Sequence, residues 1–135
     1  MKSEMDSKAV VLAYWAAMET NDFTAASEWL CEHEFECYWP QSNELIKGRE
    51  NFAALNSAYP SEGLWRFTLN TIVVEGNQVV TDVSVTDGSR IDRAITFHTV
   101  VDGKIVKQTE FWPDNYPAPE WRSQWVESAN SKQTV

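Results

Sequence analysis

Three side chains in this 135-residue chain are suited to moving a proton. Glu110 lies in the run KIVKQTEFW just before its closing aromatic pair, His98 sits in RIDRAITFHTVV, and Tyr14 lies in VLAYWAAM. A carboxyl group set among apolar neighbours loses hydration, so its pKa rises and it can give or take a proton near neutral pH. An imidazole beside it could relay that proton, with the carboxylate orienting the ring. A phenol could donate to a developing negative oxygen. Each residue also has a plainer reading. Glu110 could pair with an arginine or stand at a solvent rim, His98 could be a satisfied core histidine, and Tyr14 could be core with its hydroxyl at the edge. Trp39 and Trp112 would either stack on a flat ligand or fill the interior.

The elements that carry these residues follow from periodicity. Val11, Tyr14, Trp15 and Met18 recur at helical spacing and predict a first helix over Met5–Thr20. Asn21-Asp22 ends it and caps a second helix whose buried side holds Phe23, Ala26, Trp29 and Leu30. The alternation in Glu34–Trp39, ended by Pro40, predicts a short strand. Gly48-Arg49-Glu50 opens a third helix with Phe52, Leu55 and Tyr59 inward, and Pro60 closes it. Four strands then form a meander, separated by Gly76-Asn77, Asp87-Gly88 and Asp102-Gly103, pairs that supply the positive φ angles tight hairpins need. A last short helix carries Trp121 and Trp125 one turn apart; these two, with Trp29 and Trp65, are assigned to packing. Asp82, Asp87 and Asp92 read as outer-face or turn residues. Helices first and a meander last is an α+β layout: one domain over 1–135, a cone-shaped, curved, mixed sheet wrapped around the N-terminal helices.

Totals exclude several functions. Eleven basic against 20 acidic residues give a net charge of −9, with Lys and Arg scattered singly, which disfavours nucleic acid and anionic membrane surfaces as partners. No run reaches the roughly 18 apolar residues of a membrane span. Two cysteines, Cys31 and Cys37, behind the polar start MKSEMDSK predict reduced thiols in a cytoplasmic protein. No metal cluster or phosphate-binding glycine loop is evident, so no metal and no organic cofactor is expected.

The order of elements, with VLAYWAAMETNDF, YWPQSNELIKGRENF and VVDGKIVKQTEFWPD, resembles the nuclear-transport-factor-2-like superfamily in its SnoaL-like, polyketide-cyclase-like branch. The resemblance implies a roll enclosing one pocket. By similarity to ketosteroid isomerase, Tyr14 stands where an oxyanion donor lies, while Trp39 replaces the basic aspartate and Thr96 falls at the second donor. By similarity to limonene epoxide hydrolase, Glu110 matches an acidic residue of the closing strand, whose Arg-x-Asp partners have no counterpart here.

Whether Glu110 and His98 share a face depends on the turn at Asp102-Gly103. A two-residue turn pairs Val101 with Lys104 and sets His98 opposite Lys107; a bulged three-residue turn pairs Val100 with Lys104 and brings His98 to the face of Glu110. Both family comparisons turn Glu110 inward, so the bulged turn is the expectation. The pocket is then lined by Tyr14, Met18, Trp39, Phe52, Leu55, Tyr59, Val83, Val85, Thr96, His98, Gln108, Glu110 and Trp112. Apolar residues left on the other face, such as Ile95, Phe97 and Phe111, predict a homodimer. Two functions fit. One is a cofactor-independent enzyme moving a proton on a small cyclic or polyketide-like molecule (cyclisation, isomerisation, dehydration or hydrolysis). The other is a non-catalytic module that binds a small hydrophobic molecule or dimerises.

Overall fold

The N-terminal stripe folds as its spacing requires. In the computed structural model, which describes residues 4–129, helix α1 (Glu4–Glu19) buries Val11, Tyr14, Trp15 and Met18. Each fully buried side chain of this size contributes roughly 1.5–3 kcal/mol. Asn21 takes a left-handed φ of 66° and turns the chain. Asp22 then accepts from the Ala25 N–H at 3.0 Å, capping α2 (Phe23–Ala26), and a 3-10 turn over Ser27–Trp29 follows. Strand β1 (Glu36–Trp39) pairs with β2 (Glu44–Lys47), and α3 (Arg49–Ala58) stops before Pro60.

The meander is β3 (Arg66–Glu75), β4 (Gln78–Thr86), β5 (Ile91–Val101) and β6 (Lys104–Phe111). With β1 and β2 it makes a curved, unclosed six-stranded sheet in the order β2-β1-β6-β5-β4-β3. Among the six described strands only β1 and β6 pair in parallel, so the sheet is mixed. Its concave face packs on the helices, giving the α+β roll. Among the described residues no helix is long and apolar enough to cross a membrane.

The hairpin between β5 and β6 corrects one expectation and keeps its consequence. The turn has two residues, Asp102 and Gly103, both at positive φ (51° and 80°), and Val101 pairs with Lys104. The slip lies in the strand instead. Val100 opposes Ile105 and Thr99 opposes Lys107, so Val106 is an extra residue on β6. Below it Ile105 faces in; above it Gln108 and Glu110 do. His98 therefore faces Gln108, and Thr96 faces Glu110.

Two further corrections concern the ends. Strand β2 is not marked by any alternation, since only Ile46 of its four residues is buried; it exists because its backbone pairs with β1. The final element is a 3-10 helix (Glu120–Trp125), and Trp121 and Trp125 are about 70% exposed (72% and 70%), so they do not pack on the domain.

Candidate active site

Because β1 and β6 run parallel, their C-terminal ends lie side by side and bring Trp39 to Glu110. The Trp39 indole N–H donates to Glu110 Oε1 at 3.0 Å, and the Trp112 indole N–H donates to the same oxygen at 3.2 Å. Oε2 lies 2.7 Å from the Thr96 hydroxyl across the β5–β6 pair. An indole N–H can only donate. Oε1 therefore accepts whatever the charge of the group, and any proton on the carboxyl belongs on Oε2. Burial raises the Glu110 pKa above its ordinary value, and the three hydrogen bonds offset part of that rise. Among the described residues no lysine or arginine pairs with it. Arg66 is committed to Glu19 at 2.8 Å, and Arg49 lies 3.9 Å from Glu32.

Glu110 lines a cavity of about 390 Å³ at the wide end of the roll. Its walls are Phe23, Trp39, Tyr59, Trp65, Phe67, Val85 and Trp112. Its rim carries the exposed residues Gln41, Ser42, Glu44, Arg90 and Asp114, with Asn56 and Asp92 half-buried beside them. The rim is held in part by Asp87, whose carboxylate accepts from the backbone N–H groups of Glu62, Ser89 and Arg90 at 2.8–2.9 Å. Those bonds hold its pKa at about 2. Trp65 is fixed by the Asn21 amide, which donates to its carbonyl and accepts from its N–H, each at 2.8 Å.

Of the residues expected on the pocket, Trp39, Tyr59, Val85, Glu110 and Trp112 line this cavity. Thr96 stands behind Glu110 as its hydrogen-bond partner. The others lie elsewhere. Tyr14, Met18, Phe52 and Val83 are buried in the hydrophobic core, and Leu55 borders a separate depression over β2. The reason is ring volume: Tyr14, Trp15, Phe35 and Phe52 pack edge-on or tilted with centroids 4.9–6.2 Å apart and fill the narrow end.

His98 is also corrected. It does not bond Glu110 but belongs to a fully buried polar chain. Trp15 Nε1 donates to the Thr81 hydroxyl at 3.2 Å, and that hydroxyl lies 2.8 Å from His98 Nε2. His98 Nδ1 lies 2.7 Å from Gln108 Oε1. Gln108 Oε1 can only accept, so Nδ1 carries the ring proton and donates to it, and the unprotonated Nε2 accepts from the Thr81 hydroxyl. Desolvation lowers the His98 pKa to about 4, so the ring is neutral near pH 7. Burial drives the Tyr14 pKa upward, with Gln108 opposing part of that rise. Neither His98, Tyr14 nor Gln108 lines the cavity.

Several lining residues escaped the sequence reading. Asp92 was expected on the outer face or in a turn, yet it shares a face with Ala94, Thr96 and His98 and lines the cavity; the alternation of β5 contained that signal. Trp65 both packs and lines. Phe23, Phe67, Asn56, Glu44, Arg90 and Asp114 meet there only through the tertiary fold.

The comparisons agree with this geometry at the level of family. Residues 11–108 match the SnoaL-like domain model. Among curated proteins none matches the chain. Among solved structures, an NTF2-like protein of unknown function from Burkholderia xenovorans is 32% identical, covering 93% of this chain and 97% of its own, with a TM-score of 0.77. A candidate ketosteroid isomerase from Kribbella flavida is 27% identical over 93% of this chain and 90% of its own, with a TM-score of 0.84. An epoxide hydrolase of the limonene-epoxide-hydrolase type from M. tuberculosis shares the fold at 18% identity, over 82% of this chain and 84% of its own, with a TM-score of 0.66. Nearly three-quarters of the sequence, residues 11–108, thus follows one family model, and solved NTF2-like structures share the fold: the chain belongs to the SnoaL-like family of NTF2-like domains.

Proposed function

We propose that the domain encloses a small, mostly apolar molecule in the aromatic cavity and that Glu110 moves a proton to and from it. One observation carries this reading: a buried carboxyl with no cationic partner among the described residues faces a cavity large enough for a ring-sized ligand. Two indole N–H groups fix its orientation and support its charged form, while burial keeps its basicity up. As the carboxylate, Glu110 takes a proton from a carbon beside a carbonyl, or from water; as the acid, it returns that proton to a neighbouring atom. Isomerisation, cyclisation, dehydration and hydrolysis all use this step. His98 and Tyr14 take no part in it, because they contact one another's network and not the cavity.

A second reading is a non-catalytic carrier. It is favoured by the fact that the Trp39 and Trp112 N–H groups, the nearest donors for a substrate oxygen, are both occupied by Glu110. The two readings separate in heavy water. A panel of cyclic ketones and β-diketones is incubated with the protein, and deuterium uptake is followed by mass spectrometry. The enzyme reading expects uptake by at least one member, slowed about 100-fold or more by Glu110→Gln with little change in its affinity. Uptake at equal rates with both proteins, or binding without any uptake, favours the carrier.

We also propose that two copies pair through the outer sheet face. Phe97 is half exposed there (46%) and meets Phe111 edge-on at 6.2 Å, with Ile95 beside them on the same face.

A further inference from the structure

The charges around the cavity are one-sided. Glu44, Asp92 and Asp114 stand at its mouth and Glu110 at its floor, whereas Arg90 is the single cation among the described lining residues. Arg90 Nε donates to Asp92 at 2.7 Å, so that pair cancels. Glu44 is hydrogen-bonded only by the neutral Ser42 hydroxyl, at 2.6 Å. No described cation pairs with Glu44 or with Asp114. Between the rim and Glu110 the walls present aromatic rings, including Trp39, Tyr59, Trp65 and Trp112. Glu110 itself is only 5% exposed and has hydrogen-bond donors but, among the described residues, no positive charge beside it.

We infer that the molecule this cavity takes is an organic cation: an apolar, ring-sized body carrying an ammonium group. The inference rests on reading the cavity as the ligand site, and it adds the charge of the ligand. Aromatic faces attract ammonium groups through their quadrupole, an attraction that grows as water is excluded. The unpaired rim carboxylates add to it, and the net charge of −9 raises the local concentration of cations around the whole molecule. The same features repel carboxylates and phosphates. An apolar cage alone would accept a neutral terpene-like or steroid-like ring equally well; the acidic mouth is what selects against neutral and anionic bodies.

Three ligands of one shape test this: cyclohexylmethylamine (protonated at pH 7), cyclohexylmethanol and cyclohexanecarboxylate, each titrated calorimetrically into the full chain. The cation should bind about 10-fold more tightly than the alcohol at low ionic strength, with the carboxylate weakest. The gap should narrow in 0.5 M salt, since rim charges are screened. Replacing Glu44→Gln and Asp114→Asn together should close most of the gap while leaving the alcohol's affinity in place. Equal affinities, or tighter binding of the carboxylate, overturn the inference and leave the cavity standing as an apolar site. Binding of none of the three overturns both.

Discussion

Two buried ionisable groups, 12 residues apart in sequence, feel burial in opposite directions. Desolvation raises the pKa of Glu110 and lowers that of His98, because in each case it disfavours the charged form. For His98 the folded value, about 4, lies below the ordinary 6.5. Between those values the unfolded chain binds one more proton than the folded one, so stability rises with pH through that window. The contribution is complete above pH 6.5 and is lost as pH falls toward 4; its ceiling is about 3 kcal/mol. Urea titrations at pH 4, 5, 6 and 7 should show this slope. His98→Gln removes the titrating ring; its overall stability will fall, but the informative readout is the slope, which should flatten between pH 6.5 and 4. An unchanged slope would show that other groups set the acid limb. The same burial sets His98 apart from the proposed proton transfer at Glu110: the ring is neutral near pH 7, and its partners are Thr81 and Gln108.

At the scale of elements, one extra residue decides the site. Val106 turns β6 over, so that Ile105 and Gln108 both face inward although their numbers differ in parity. Alternation is legible in a sequence; the place where it slips is not, because a bulge is set by which pairing buries the greater apolar area. The hairpin turn was legible as the pair Asp102-Gly103, and its two positive φ angles select the tight form over the bulged one. Strand β2 was hidden, since a single buried residue, Ile46, leaves no pattern to read. The helices were legible because α1 and α3 carry stripes and end at Asn21 and Pro60. Their depth was not. Sequence lists Tyr14, Met18 and Phe52 as inward, and inward they are, but only packing shows that their rings fill the narrow end and leave the cavity among Trp39, Trp65 and Trp112. For the same reason Glu44, in the patternless β2, and Asp114, just beyond the end of β6, reach the mouth unannounced.

The whole molecule presents two surfaces with different demands. The concave face is closed by helices except at the cavity. The outer face keeps Phe97, Tyr38 and Val101 exposed at 46%, 36% and 43%. Leaving such a patch in water is unfavourable, and a second copy covering it restores burial. Light scattering at micromolar concentration should therefore give twice the chain mass, and Phe97→Lys should return it to one chain without unfolding it. A wild-type protein that scatters as a monomer contradicts the proposed pairing and leaves the cavity untouched.

The proposed proton transfer turns on the protonation of one group, and that can be observed without knowing the ligand. The side-chain carboxyl of Glu110 is followed by ¹³C NMR across pH, with Glu110→Gln supplying the assignment. A proton carrier in a desolvated floor should titrate above the ordinary value of 4.5. A midpoint at or below 4.5 would mean that the two indoles and Thr96 hold a permanent carboxylate, and Glu110 would then be a structural anion and no proton carrier.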